Sequence, residues 1–410
     1  MKKAITDEKS IDELLTRGVK NIYPSHEEFK KVLMSGKRIR LYCGYDPTAR
    51  SLHIGNAISI NKLGQFQRLG HEVIFLIGDF TGMIGDPTDK SAARKKLSRE
   101  EAINNSANYV KQASGYLKFD GENPAKILCN SEWSDKLTFK DLIKLSSNFT
   151  VQQMIQRDMF QERIKNEKPI YLHEFLYPLA QGYDSVVMDV DLEVGGNDQT
   201  FNMLCGRDLV KILKGREKFV LTVKLLADET GKKMGKSEGN TVNLDESPEN
   251  MFGQIMAWSD GLIGSTFELC TNIPENELTQ IRKTLKNPET NPRDLKLKLA
   301  FEITKINHGE KAALAAQEHF VNTFSKKIVP ENVSEHIVKW VDAYDAYENI
   351  MDFIVSAGLA KSKSDARRKI EQGGVSIDGK KTVEVRILDK KLDDGKIMKV
   401  GKKDFVKIRF

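Results

Sequence analysis

Residues 38–80 read as one β-α-β unit, and nothing else in the chain constrains its fold as strongly. RIRLYCGY is a strand candidate, DPTARSLHIG a turn-rich loop, NAISINKLGQFQRLG a helix with apolar Ile60, Leu63 and Phe66, and HEVIFLIGDF a buried apolar strand. A strand, a helix and a second strand in about forty residues are the signature of a parallel sheet with right-handed crossovers. Two further strand-like runs follow, SVVMDVDLEVGG and KFVLTVKLL. Residues 1–36 read as helical and amphipathic, 94–165 as mostly helical and polar, and 246–325 as helical. The segment 326–349 contains Pro330 and reads as a partly helical connection. A chain of 410 residues is long enough for two or three domains, each with its own core.

Some classes drop out at once. No apolar run approaches the ~20 residues that span a bilayer, and no apolar segment follows the N-terminal lysines as a secretory signal would require. Cys43, Cys129, Cys205 and Cys270 are scattered with no CxxC pair, which excludes a disulfide scaffold or zinc ribbon and suits a reducing cytoplasm. The total charge of +6 hides an uneven distribution. From Gly358 to Phe410 there are 16 Lys/Arg and 8 Asp/Glu, so the tail carries +8 and the rest of the chain −2. A near-neutral body with a small basic tail suggests a polyanionic partner for the tail, although a solvated lysine-rich surface fits charge alone equally well. Within the tail, AGLAKSKSDARRKIEQGG is helical in pattern and short β-type runs follow. Arg367, Arg368 and Lys369 fall on the last turns before Gly373-Gly374.

Four short motifs carry chemistry. SLHIGN (51–56) lies between a strand and a helix, where free backbone N–H groups offer a phosphate site, with His53 as a donor and Gly55 allowing close approach. Thr48, in the preceding DPTA, adds a hydroxyl. GKKMGKS (231–237) follows a strand. It resembles a P-loop but has three residues between Gly231 and Gly235 where Walker A needs four. Its lysines suit a mobile polyphosphate clamp. In YPLAQGYD (177–184), Tyr177, Gln181 and Asp184 stand at i, i+4 and i+7, one helical face able to bind a small polar ligand. GGNDQ (195–199) ends a strand and places Asp198 where ribose hydroxyls could be met. TGMIGDP (81–87) puts Asp86 at a similar rim. Taken singly, each fits a plainer reading: an incidental loop histidine, an exposed basic loop, a solvent-facing polar stripe, an Asn-Asp turn.

In this order and spacing the motifs resemble class I aminoacyl-tRNA synthetases. SLHIGN resembles their HIGH signature and KMGKS their KMSKS loop. LYCGYDPTA, GMIGDP, YxxxQxxD and GGNDQ together resemble the bacterial tyrosyl-tRNA synthetase family, and GLAKSKSDARRKIEQGGVSIDGK resembles the S4-type RNA-binding domain that ends those enzymes. The resemblance runs from about residue 10 to the end of the chain.

That resemblance implies a doubly wound, Rossmann-like α/β catalytic domain over 1–240, with a helical dimerisation insertion at about 120–165. An α-helical anticodon-binding domain over 241–330, a linker over 331–346 and a small α+β S4-like domain over 347–410 would follow. It implies activation of L-tyrosine by ATP and transfer to tRNA(Tyr), with Mg²⁺ accompanying ATP, in a cytoplasmic homodimer with no membrane association. Tyr42 and Asp184 would hold the phenolic hydroxyl, and Asp86, Tyr177 and Gln181 the ammonium group. Gln199 would lie near the carboxyl or α-phosphate. Cys43, Gly44, Asp46, Gly55, Asn56, Gly196 and Asp198 would line the ATP site. Thr48, His53, Lys90, Arg94, Lys233 and Lys236 would meet the phosphates. Lys361, Lys363, Arg367, Arg368 and Lys369 would contact RNA. Four positions depart from the usual pattern: Asn56 at the second signature histidine, Gly235 at the serine of KMSKS, Thr200 where many relatives have tryptophan, and Glu193 where some have glutamine. A tryptophan-specific relative, an RNA-binding protein that has lost catalysis, and a P-loop kinase are the competing readings.

Overall fold

The computed structural model describes residues 4–86, 97–227, 241–287, 291–325, 333–342, 346–401 and 404–410. The chain forms two compact units, Met1–Gln317 and Glu318–Phe410.

The first unit is built on a six-stranded sheet. Its strands are β1 (Val19–Tyr23), β2 (Arg40–Tyr45), β3 (Glu72–Ile77), β4 (Lys126–Cys129), β5 (Leu192–Gly196) and β6 (Phe219–Val223), in the order β1-β6-β5-β2-β3-β4. β6, β5, β2, β3 and β4 run parallel, and β1 pairs antiparallel with β6. The expected unit is present: β2, the helix Ile54–Arg68 and β3. β3 and β6 are almost wholly buried (EVIFLI, FVLTV), as strands covered on both faces must be. From β2 the chain builds outward through β3 to β4, then crosses to the other side for β5 and β6. The strand order therefore reverses between β2 and β5, and the crevice at their carboxyl ends is where an open α/β sheet binds ligands.

Both edges of this sheet differ from the sequence reading. β1 sits inside the stretch read as helical, between the helices Glu8–Thr16 and His26–Met34. β4 sits inside the polar stretch read as mostly helical. Each is four or five residues long, too short for periodicity to show, and the pairing partner decides it: β6 for VKNIY, β3 for KILC. Beyond the sheet, Pro248–Met256, Ile263–Cys270, Glu275–Leu285, Pro292–His308 and Glu310–Phe320 are helices, as expected for 246–325.

The second unit has a five-stranded sheet in the order β11-β10-β12-β13-β7, with β7 Glu335–Ile337, β10 Val375–Ile377, β11 Lys380–Thr382, β12 Ile397–Val400 and β13 Asp404–Arg409. A separate two-stranded pair joins β8 (Trp340–Val341) to β9 (Ala346–Tyr347). The described part of the stretch read as a partly helical connection thus forms short strands, and β7 completes the sheet by pairing parallel with β13. The helices Ile350–Ser356 and Lys363–Glu371 pack on a core that includes Phe353, Ile354, Ile370, Val375, Met398 and Ile408. The Lys363–Glu371 helix ends as expected: Gly373 takes a positive φ of 66°, and the Gly374 N–H donates to Lys369 O at 2.8 Å.

Candidate active site

Three strand ends and one helix converge on the crevice. β2 delivers Tyr42 to Asp46, β3 leads to Thr81 and Asp86, β5 delivers Gly195 to Gln199, and the helix Tyr177–Val187 lines the space with Tyr177, Gln181 and Asp184. Pro178 lies in this helix's first turn, where the missing N–H costs nothing. The i, i+4, i+7 face read from the sequence is real, and each of its side chains meets a different partner. Tyr177 donates its hydroxyl to Asp46 Oδ2 at 2.8 Å. Gln181 donates through Nε2 to Glu193 Oε1 at 2.9 Å. Asp184 accepts from Trp133 Nε1 at 2.8 Å and from Asn130 Nδ2 at 3.2 Å.

Asp184 is buried, and burial drives its carboxyl well above the usual range against the pull of the Asn130 and Trp133 hydrogen bonds. Its donors are both uncharged. Tyr42, also buried, shares a hydrogen bond with Ser185 Oγ at 2.9 Å and lies 3.4 Å from Gln181 O. Burial likewise raises the Tyr42 and Tyr177 phenols well above their ordinary value, so both remain protonated donors. Behind Gln181 and Ser185 lies a buried ion pair, Glu193 with Lys218, and Lys218 Nζ also donates to Ser185 Oγ at 2.8 Å. Burial lowers the Lys218 amine's pKa, and the Glu193 carboxylate is the first group opposing that.

Farther along the crevice, Gln199 Nε2 donates to Asp86 Oδ2 at 2.5 Å and Asn202 Nδ2 donates to Gln199 Oε1 at 2.9 Å. Arg157 is buried, with its guanidinium 3.8 Å from Asp86 and stacked on the rings of Phe160 and Phe201. Asp46 also accepts from Thr81 Oγ1 at 2.6 Å, and Asn130 Nδ2 reaches Thr81 Oγ1 at 3.0 Å. A single network therefore links Tyr177, Asp46, Thr81, Asn130 and Asp184.

The other end of the crevice is built from backbone. His53 is the N-cap of the Ile54–Arg68 helix. Its Nδ1 accepts from the Gly55 N–H at 3.1 Å, while Asn56 Oδ1 accepts from the His53 N–H at 3.0 Å, closing a capping box. Asn56 at the second signature position thus has a local task that a side-chain oxygen three residues into a helix performs well. Thr48 and Gly44 are exposed, and so is Asp198 in the short turn Asn197–Gln199. Cys43 is buried, and burial pushes its thiol up to about 11. Lys233, Lys236, Lys90 and Arg94 lie outside the described residues. The residues just after the first of these stretches do have a place: Ile54 N–H donates to Val242 O and Leu244 N–H to Leu52 O, both at 2.9 Å, so the chain leaving GKKMGKS runs antiparallel beside His53.

Several side chains in the site escaped the sequence reading. Thr81 opens the TGMIGDP motif, of which only Asp86 was singled out. Asn130 and Trp133 follow the short β4 and belong to no motif. Arg157, Ser185 and Lys218 are single polar residues whose burial only the fold reveals.

In the second unit Arg367 and Arg368 are exposed on the Lys363–Glu371 helix, with Lys361 just before it. Arg368 and Lys369 pair with Asp365 at 2.7 and 3.3 Å, and Lys363 with Asp352 at 2.6 Å.

Comparison with known proteins places this geometry. Residues 34–325 match the family described as tRNA synthetases class I (W and Y), and residues 333–408 match the tyrosine--tRNA ligase SYY-like C-terminal domain. The chain is 43% identical over 373 residues to the tyrosine--tRNA ligase of Haemophilus ducreyi, covering 91% of each. It is 39% identical over 405 residues to that of Thermotoga maritima, covering 98% of each. Among solved structures, a C-terminally truncated mitochondrial tyrosyl-tRNA synthetase of Aspergillus nidulans superposes with a TM-score of 0.66 at 21% identity, over 78% of this chain and 95% of that one. The Archaeoglobus fulgidus tyrosyl-tRNA synthetase complexed with L-tyrosine superposes with a TM-score of 0.59 at 20% identity, over 76% and 100%. These structural likenesses establish the shared fold.

Proposed function

The chain belongs to the tyrosine–tRNA ligase family of class I tRNA synthetases, and from that premise we propose how its residues divide the reaction. The activity is tyrosine tRNA aminoacylation with ATP as co-substrate. The tyrosine carboxylate attacks the α-phosphate of ATP in line and pyrophosphate leaves. A hydroxyl of the terminal adenosine of tRNA(Tyr) then attacks the adenylate carbonyl and AMP leaves. Neither step needs an enzyme nucleophile, so the protein's work is positioning and stabilising charge on phosphate. Mg²⁺ enters with ATP as part of that substrate.

One observation supports the amino-acid assignment above the rest. Asp184 is a buried carboxyl that accepts from the neutral donors Asn130 and Trp133, and the buried Tyr42 hydroxyl is close enough to feel its charge. A phenol hydroxyl can donate to Asp184 and accept from Tyr42. Phenylalanine would leave both groups unpaired in a buried site, which is costly. Asp86, Tyr177 and Gln181 take the ammonium group, and Gln199 the reacting carboxyl and α-phosphate. Cys43, Gly44, Asp46, Gly196 and Asp198 meet the nucleoside. Thr48, His53, Gly55 and Asn56 meet the phosphates, with Lys233, Lys236, Lys90 and Arg94 closing over pyrophosphate. Tyrosine-dependent ATP–pyrophosphate exchange, with tryptophan and phenylalanine as controls, tests this. Exchange with tyrosine alone is expected, and exchange driven by tryptophan would overturn it.

Residues 1–240 serve as the catalytic domain, 241–330 as the anticodon-contacting helices, and 347–410, with β7 from the 331–346 stretch completing their sheet, as the RNA-gripping module. In that module Lys361, Lys363, Arg367, Arg368 and Lys369 contact phosphates of the tRNA variable arm and anticodon stem. The enzyme works as a cytoplasmic homodimer. The helices Phe139–Ser146, Val151–Ile155 and Asp158–Lys165 expose Phe139, Ile143, Val151 and Ile164, an apolar surface that a second copy would cover. No helix among the described residues is long and apolar enough to cross a membrane. Sedimentation of the wild type and of Phe139→Asp checks the dimer: a monomeric wild type would sink it.

A further inference from the structure

The buried Glu193–Lys218 pair lies behind the crevice, bonded to Gln181 directly and linked to Tyr42 through Ser185. Among the described residues Lys218 Nζ has three partners: Glu193, Ser185 Oγ at 2.8 Å and Met203 O at 3.3 Å. An ammonium can only donate. Ser185 Oγ must therefore accept from it, and the Ser185 proton is left for another oxygen. Tyr42 Oη, at 2.9 Å, is nearer than Glu193 Oε2, at 3.3 Å. With Ser185 donating to Tyr42, the Tyr42 proton turns elsewhere: Gln181 O is a long 3.4 Å away, and the Glu193 carboxylate competes with an incoming ligand for it. Tyr42 is thus poised as a donor for an incoming phenol oxygen.

The carboxylate side works in the opposite sense. Ionised Glu193 can only accept, so Gln181 must present Nε2 to Glu193 Oε1. That fixes the amide orientation. Gln181 Oε1 is left buried with no hydrogen-bond partner among the described residues, an acceptor suited to an ammonium group. Space for the pair is built into the facing helix Thr200–Lys214: a Cβ on Gly206 would stand 2.6 Å from Lys218 Nζ and 3.1 Å from Ser185 Oγ.

We propose that Lys218, Glu193 and Ser185 are positioning residues that set the hydrogen-bond polarity of the tyrosine pocket, making Tyr42 a donor to the phenol oxygen and Gln181 an acceptor for the ammonium. This rests on the assignment of Tyr42 and Gln181 to tyrosine. It explains the departure at Glu193: a glutamine there carries both donor and acceptor and cannot impose one orientation on Gln181.

Steady-state pyrophosphate exchange on the full-length enzyme tests the proposal, with melting temperature followed in parallel. Ser185→Ala leaves both charges in place and interrupts only the relay to Tyr42. It is expected to lower the tyrosine-over-phenylalanine preference about tenfold, with KM for ATP and melting temperature near wild type. Lys218→Met/Glu193→Leu removes both charges at similar volume, a change that buried ion pairs often tolerate in stability. It should still raise KM for tyrosine about ten- to hundredfold, more than it lowers kcat. A well-folded double variant with wild-type KM for tyrosine and wild-type discrimination would reduce the pair to a structural role and overturn the proposal, as would an unchanged preference in Ser185→Ala. Tyr42→Phe separates the two levels. If it leaves tyrosine kinetics untouched, the pocket assignment itself fails; if it impairs them while the other variants do not, only the positioning role fails.

Discussion

The two ends of the crevice are built on opposite principles. At the end proposed for the amino acid, Tyr42, Asp184, Ser185, Glu193 and Lys218 are buried and bonded to side chains from several elements. At the end proposed for the phosphates, Thr48 and Gly44 are exposed, and His53 and Asn56 cap a helix. The first suits recognition, because a wrong ligand strands buried polar groups. The second suits a triphosphate that must enter, build charge and leave as pyrophosphate, because an exposed helix start with its positive dipole end attracts phosphate without needing a rigid pocket. On the proposed assignment, selectivity is concentrated at one end and charge handling at the other.

Substitutions can break that contrast. Asp184→Ala should have the largest effect, lowering kcat/KM for tyrosine in pyrophosphate exchange about 300-fold while the protein still folds. Unchanged tyrosine kinetics would remove Asp184 from its role. Neither end should depend on the second unit. A chain ending at residue 325, before β7, should keep exchange and charge tRNA about a hundredfold less well, with the deficit growing as salt rises. Normal aminoacylation by that chain would show that the tRNA grip lies elsewhere. His53→Ala should act through phosphate, lowering kcat about thirtyfold with KM for tyrosine unchanged. A rise confined to tyrosine KM would blur the division between the ends. Asn56→Ala should cost the least, about 1 kcal/mol of stability through the lost capping box, read as a lower melting temperature. If it instead abolished exchange with stability intact, Asn56 would be a substrate contact first and a cap second.

Much of this site was legible along the chain because its parts are local. A helical face shows as Tyr177, Gln181 and Asp184 at fixed spacing. A helix start shows as SLHIGN after a strand, and a strand end as GGNDQ. These patterns depend on backbone periodicity, which sequence carries directly. The two short edge strands were not legible, because pairing with β6 and β3 made strands of segments too short to declare themselves. The residues behind the pocket were hidden for a related reason. Ser185, Lys218, Arg157, Asn130 and Trp133 come from separate elements, and as single polar residues in sequence each resembles many surface positions.

By itself, then, the sequence determined the β-α-β frame, the order of the motifs and the basic character of the tail, all set by local periodicity and composition. Only the tertiary structure decided which polar residues are buried together. Lys218 at 0% exposure beside Glu193 at 2% is a charge pair that nothing along the chain announces. Removed from water, each group must satisfy its hydrogen bonds from whatever the fold brings near, and in doing so it imposes a direction on its neighbours.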